Sequence, residues 1–119
     1  MKRFVLLALL GVAAFAGCGP SQQQACNDYA VAFCSRNLAC LTGGDLTTFQ
    51  NAYGSTQDVC VANYEGGNCR AIQSPCPPGL NYDTGREEQC VTDYQNASCQ
   101  DIVQPGFQPD SCSISTVCH

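Results

Sequence analysis

The chain has 119 residues, with 11 Cys, five Lys+Arg against ten Asp+Glu, and no Trp. Past residue 17 only about 16 of about 102 residues are Leu, Ile, Val or Phe, below the roughly 20 % at which a charged chain stays disordered, whereas Cys above roughly 8–10 % in a short exported chain points to a disulfide scaffold. These figures exclude a large enzyme, a multi-pass membrane protein and a nucleic-acid binder, and they leave room for one domain of ordinary size.

Lys2 and Arg3 form a basic start, followed by an uninterrupted apolar or small-residue run from Phe4 to Ala16. About 13 residues make roughly 20 Å of helix, too short for a hydrocarbon core of about 30 Å. The run has the length and flanks of a secretory signal. Two cleavages compete. Ala14-Phe15-Ala16 is an A-x-A site that would free a soluble protein starting at Gly17. Phe15-Ala16-Gly17-Cys18 resembles the lipobox of bacterial lipoproteins, where small residues precede a Cys that becomes the lipidated N-terminus; it departs from that pattern at Phe15, where Leu is commonest. Cysteine parity favours the second. Eleven Cys in an exported protein leave one odd thiol, and lipidation of Cys18 leaves ten: Cys26, Cys34, Cys40, Cys60, Cys69, Cys76, Cys90, Cys99, Cys112 and Cys118.

The expected organisation is therefore a signal peptide over 1–17, a lipid-anchored flexible tether over 18–24, and a disulfide-rich helical domain over 25–119. At about 0.8 kcal/mol per buried CH₂, one acyl chain holds marginally and two or more hold stably. Gly19, rather than Asp, follows Cys18. By resemblance to enteric lipoproteins this implies the outer membrane over the inner one.

In the domain, Cys26, Ala30, Phe33, Cys34, Leu38 and Leu41 fall at i, i+4, i+7, i+8, i+12 and i+15, which predicts a helix over 25–41. Thr42-Gly43-Gly44 reads as its stop. Cys26 and Cys34 share the inner face, while Cys40 points elsewhere and ties the helix end to another segment. Leu46, Phe49 and Tyr53 predict a short second helix, with Asp45 as N-cap and Gly54 as stop. Ser55 or Thr56 caps a third, running to about Glu65 and ended by Gly66-Gly67. The stretch 75–79 reads as a turn or extended connector. Thr84-Gly85-Arg86-Glu87 has the form of a capping box and opens a helix to about Asn96. The tail from Pro105 to His119 reads as mostly loop, fastened by Cys112 and Cys118.

A weak repeat links Cys60-Val61…Tyr64…Cys69…Ile72 to Cys90-Val91…Tyr94…Cys99…Ile102 at a constant offset of 30 residues. Within each copy, nine residues of continuous helix put the two sulfurs about 180° apart and roughly 13 Å along the axis. Disulfide Cα atoms must lie within about 7 Å. Each first Cys is therefore expected to bond another helix rather than its own unit's second Cys. For Cys60 the expected partner is Cys26 or Cys34, and the two copies are expected to use matching partners. The only polar position that could serve a duplicated site is Asn63/Asp93.

Chemistry-bearing patterns are sparse. There is no C-x-x-C, and the only His is His119, so no metal site is expected. A Ser or Cys nucleophile lacks a nearby base. Glu87 and Glu88 are adjacent in a first helical turn, where acids complement the helix dipole, and read as solvated surface. No catalytic residue and no cofactor is assigned. Past residue 17 three Arg and no Lys face ten acids, so nucleic acid and anionic headgroups are repelled.

The spacing Phe33-Cys34…Leu38-Ala39-Cys40, then C-x₈-C twice, is similar to small Cys-rich lipoproteins of some Gram-negative bacteria, a resemblance that implies location more than mechanism. The reading is a cell-envelope lipoprotein with a mainly α, disulfide-rich domain. It is held to the membrane by its N-terminal lipid and acts as a non-enzymatic surface or periplasmic module for a protein or glycan partner. The alternative is a soluble, secreted inhibitor or toxin-like protein. A cleft lined by several acids would revive an enzyme.

Overall fold

The computed structural model describes residues 21–69 and 76–119. Its helices are α1 (Gln22–Cys40), α2 (Gly43–Tyr53), α3 (Gln57–Tyr64), α4 (Thr84–Asn96), α5 (Cys99–Ile102) and α6 (Ile114–Val117). A π-helical turn, Glu65–Cys69, prolongs α3, and a 3₁₀ turn, Asp110–Cys112, precedes α6. Among the described residues the only extended pairing is an antiparallel bridge between Tyr82 and Cys118. The protein is mainly helical and disulfide-rich, as its sequence indicates.

Helix α1 starts before its apolar stripe. The Gln24 N–H donates to Ser21 Oγ at 3.1 Å, and Gln23 and Gln24 bond Asn27 and Asp28 one turn on. An N-cap and two i,i+4 pairs suffice to carry the helix into polar sequence. Gln22–Gln24, expected in the tether, are thus its first turn.

The helix ends at Leu41, whose backbone is extended and whose N–H closes onto Asn37 O. Gly43 and Gly44, expected as the stop, open α2 instead. Thr42 takes the N-cap position, and Asp45 sits inside the first turn, where its charge still complements the helix dipole. Gly54 ends α2 as expected. Its φ is +113°, and an added Cβ would collide with the Val59 side chain, so glycine is required twice over.

Thr56 caps α3, accepting from the Val59 N–H. Gly66-Gly67 do not end this segment. The chain continues through them to Cys69, which is fully buried and bonded to Cys26. The wider π turn suits glycine, and the disulfide holds its far end. Helix α4 takes Asp83, not Thr84, as N-cap: the Arg86 N–H donates to Asp83 Oδ1 at 3.1 Å. Asp83 leaves the short extended segment, where its N–H bonds Val117 O, so the turn into the helix falls one residue earlier.

Helix α1 is the spine. Cys34–Cys60 and Cys26–Cys69 lash α3 and its π turn to it in antiparallel sense. Helix α4 packs beside α1 in the same direction. Arg36 Nη2 donates to Ala97 O at 2.6 Å, Asn37 Nδ2 donates to Tyr94 Oη at 2.9 Å, and Cys40 bonds Cys99 just beyond. The tail folds over α4 through Cys90–Cys112, and Cys76–Cys118 holds the extended bridge. It is less irregular than expected, containing two short helical turns.

The core explains how so few large apolar residues suffice. The largest fully buried side chains are Cys34, Cys60, Cys69 and Cys90. Rings do the remaining filling. Phe33 contacts Tyr29, Phe49, Tyr53, Tyr64 and Tyr94 at centroid distances of 5.0–6.2 Å. It belongs to both apolar clusters, one with Ala32, Val91 and Ile102, the other with Cys34, Phe49 and Cys60. Such ring pairs are worth about 0.5–1.5 kcal/mol each beyond their burial.

Candidate functional site

The ten cysteines from Cys26 to Cys118 are all paired, with Cα separations of 4.7–5.8 Å. Cys18 and the signal region lie outside the described residues, as does Ile72 of the repeat. Cys60 bonds Cys34, one of the two partners expected, and neither unit closes on itself. The expectation of matching partners fails at Cys90, which bonds Cys112 rather than α1. Helix α3 runs antiparallel to α1 and α4 runs parallel to it. On α4 the face toward α1 carries Val91 and Tyr94, which turns Cys90 toward the tail. The rings do keep the symmetry: Tyr64 and Tyr94 both meet Tyr29 and Phe33. Asn63 and Asp93 serve neighbouring segments. Asn63 donates to Tyr53 O, and Asp93 accepts from Ser111 and Gln89.

Glu87 departs from its expected place on the solvated surface. It is half-buried, and Tyr82 hydrogen-bonds to it. Burial pushes its carboxyl above the usual range, against the lowering pull of that bond. Burial also raises the phenols of Tyr29, Tyr82 and Tyr64, the last to about 12. These hydroxyls stay protonated at neutral pH, and that of Tyr82 is bonded to Glu87. The available sequence signal was Tyr82, an aromatic residue five positions before Glu87.

A second cluster joins the chain end to α4. Asp83 lies 3.6 Å from both Arg86 and His119, and Arg86 also donates to Thr116 O. All three side chains are substantially exposed, so these contacts position the tail more than they stabilise it.

A groove of about 410 Å³ lies between α1 and α4. Helix α1 supplies Ala25, Asp28 and Val31; α4 supplies Glu88, Val91, Thr92 and Gln95. The spacings i, i+3, i+6 and i, i+3, i+4, i+7 each define one helix face. Ala25 and Val91 are buried at its base, whereas Val31 is 45 % exposed. Asp28 accepts from Gln24 at 2.8 Å. No basic side chain lines the groove. Sequence reasoning took Glu88 as exposed, which it is, but did not pair it with Asp28.

Among the described residues no group of three or more His, Cys, Asp or Glu converges as a metal site, and no helix is long and apolar enough to cross a membrane. The arrangement defines a disulfide-stapled helical domain with an acidic-rimmed groove. Five disulfides in so small a domain place it in an oxidising, extracytoplasmic compartment. No family model, curated protein or solved structure matches the chain.

Proposed function

We propose that the protein is a cell-envelope lipoprotein, anchored through Cys18 in the outer membrane, whose domain is a non-enzymatic module for binding a partner. Cysteine parity carries this reading. All ten cysteines of the domain are used in pairs, so Cys18 alone among the eleven is left for another chemistry. A thioether to lipid is that chemistry, following a signal-like segment and three small or aromatic residues.

The leash is short. With α1 starting at Gln22, only Gly19, Pro20 and Ser21 separate the anchor from a rigid helix. Three extended residues span at most about 11 Å, so the domain stands close to the bilayer with the start of α1 toward it. Its acidic charge keeps it from lying down on anionic headgroups.

Cys18→Ser tests the anchor. The variant moves from the membrane fraction to the soluble fraction; unchanged membrane association would refute lipidation at this residue. A mature protein whose mass begins at Gly17 without lipid would establish the secreted alternative instead.

A further inference from the structure

We propose that the groove between α1 and α4 docks a basic, amphipathic segment of a partner protein, a short stretch in which Lys or Arg alternates with apolar residues. Three observations carry the inference. The groove has an apolar base, Ala25 and Val91, and a valine, Val31, that is 45 % exposed beside it. Val31 is one of five large apolar side chains left exposed among the described residues, with Val59, Leu80, Val103 and Ile114, and it is the one that lines this groove.

The rim carries two carboxylates, Asp28 on α1 and Glu88 on α4, with no cation in the lining. The basic groups among the described residues are engaged elsewhere: Arg36 on Ala97 O, Arg86 and His119 on Asp83. Charge complementarity therefore calls for an external cation. Lys and Arg suit the shape, because their aliphatic stems cover apolar surface while the charged head stays in water.

The walls are also fixed in advance. The Asn37–Tyr94 hydrogen bond joins the two helices, and Cys40–Cys99 ties α1 to α5 directly after α4, so docking need not order them first. The volume of about 410 Å³ lies within the range usual for binding clefts. This inference rests on the interaction-module reading and names the partner's chemistry, yet its test does not use the anchor.

The experiment titrates ¹⁵N-labelled, oxidised, exported Cys18→Ser protein with an acetylated hexapeptide of alternating Leu and Lys. Peptides of alternating Leu and Glu, and of alternating Ser and Lys, serve as controls. Amide shifts change along residues 25–31 and 88–95, and more for Leu/Lys than for either control. Asp28→Asn with Glu88→Gln weakens binding by about tenfold, with the remaining spectrum unchanged as proof of folding. Three results overturn the proposal: shifts spread alike over all acidic positions, a double variant that binds as well as the parent, or no shift up to about 1 mM peptide. A failed titration beside Cys18-dependent fractionation removes the groove and leaves the anchor standing.

Discussion

Removing the Cys34–Cys60 bridge, as Cys34→Ala with Cys60→Ala, strikes the middle of the molecule. The bond closes a sequence separation of 26 residues, for which chain entropy gives about 3.5 kcal/mol at 25 °C. The enclosing Cys26–Cys69 bond, with a separation of 43, already confines this segment, so the increment is nearer about 3 kcal/mol. Both sulfurs are fully buried and pack with Phe49. Truncation therefore also opens a cavity, costing on the order of 1–2 kcal/mol. The total of about 4–5 kcal/mol approaches the whole stability of a marginal domain, usually about 5–15 kcal/mol. At about 4–8 °C per kcal/mol for a domain of this size, the Tm falls by about 15–40 °C. Scanning calorimetry under non-reducing conditions reads this, after peptide mapping confirms the other four bonds. A fall of less than about 8 °C would refute both the entropic and the packing argument. Removing Cys40–Cys99 discriminates between them. Its separation is 59 residues, but Cys99 is exposed, so entropy alone contributes about 4 kcal/mol and little cavity is added. Comparable losses in the two variants support the combined account; a much larger loss at Cys40–Cys99 would remove the cavity contribution.

Two further outcomes follow from the buried polar groups. Asn37→Leu strips the Tyr94 hydroxyl of its 2.9 Å partner inside the core and costs about 1–3 kcal/mol in urea unfolding; adding Tyr94→Phe recovers much of it, whereas a double-mutant cycle with no coupling contradicts the assignment. Glu87 has a folded-state pKa above its ordinary value, so its stabilising contribution is full below the ordinary carboxylate range and is lost as pH rises through the raised value. Glu87→Gln removes this titration and flattens the corresponding part of the curve of Tm against pH, above the ordinary carboxylate value; parallel curves for the two proteins count against burial as the cause.

Much of the architecture was legible because it depends on neighbours within four residues. The apolar stripe of α1, the Gly54 stop, the Thr56 cap and the opening of α4 near Thr84 all rest on local hydrogen bonds and side-chain spacing, and each falls within a few residues of its expected place. The expectation that neither Cys60–Cys69 nor Cys90–Cys99 forms also came from local geometry, since nine residues of continuous helix would carry the two sulfurs to opposite sides. Both bonds are absent, although each segment departs from a regular α-helix before its second Cys. The sequence could not say which faces meet. Cys60 and Cys90 occupy equivalent places in a repeated unit, yet one bonds α1 and the other the tail. The difference is the direction in which each helix lies along α1, which no local signal encodes. The same holds for Glu87, whose capping position suggested water until Tyr82 covered it, and for Asp28 and Glu88, 60 residues apart in the chain and joined only when α1 and α4 lie side by side. Local chemistry determined the helices and their dependence on disulfides. Tertiary packing decided the pairing, the buried carboxyl and the groove, because each depends on which surfaces are opposed and in which direction.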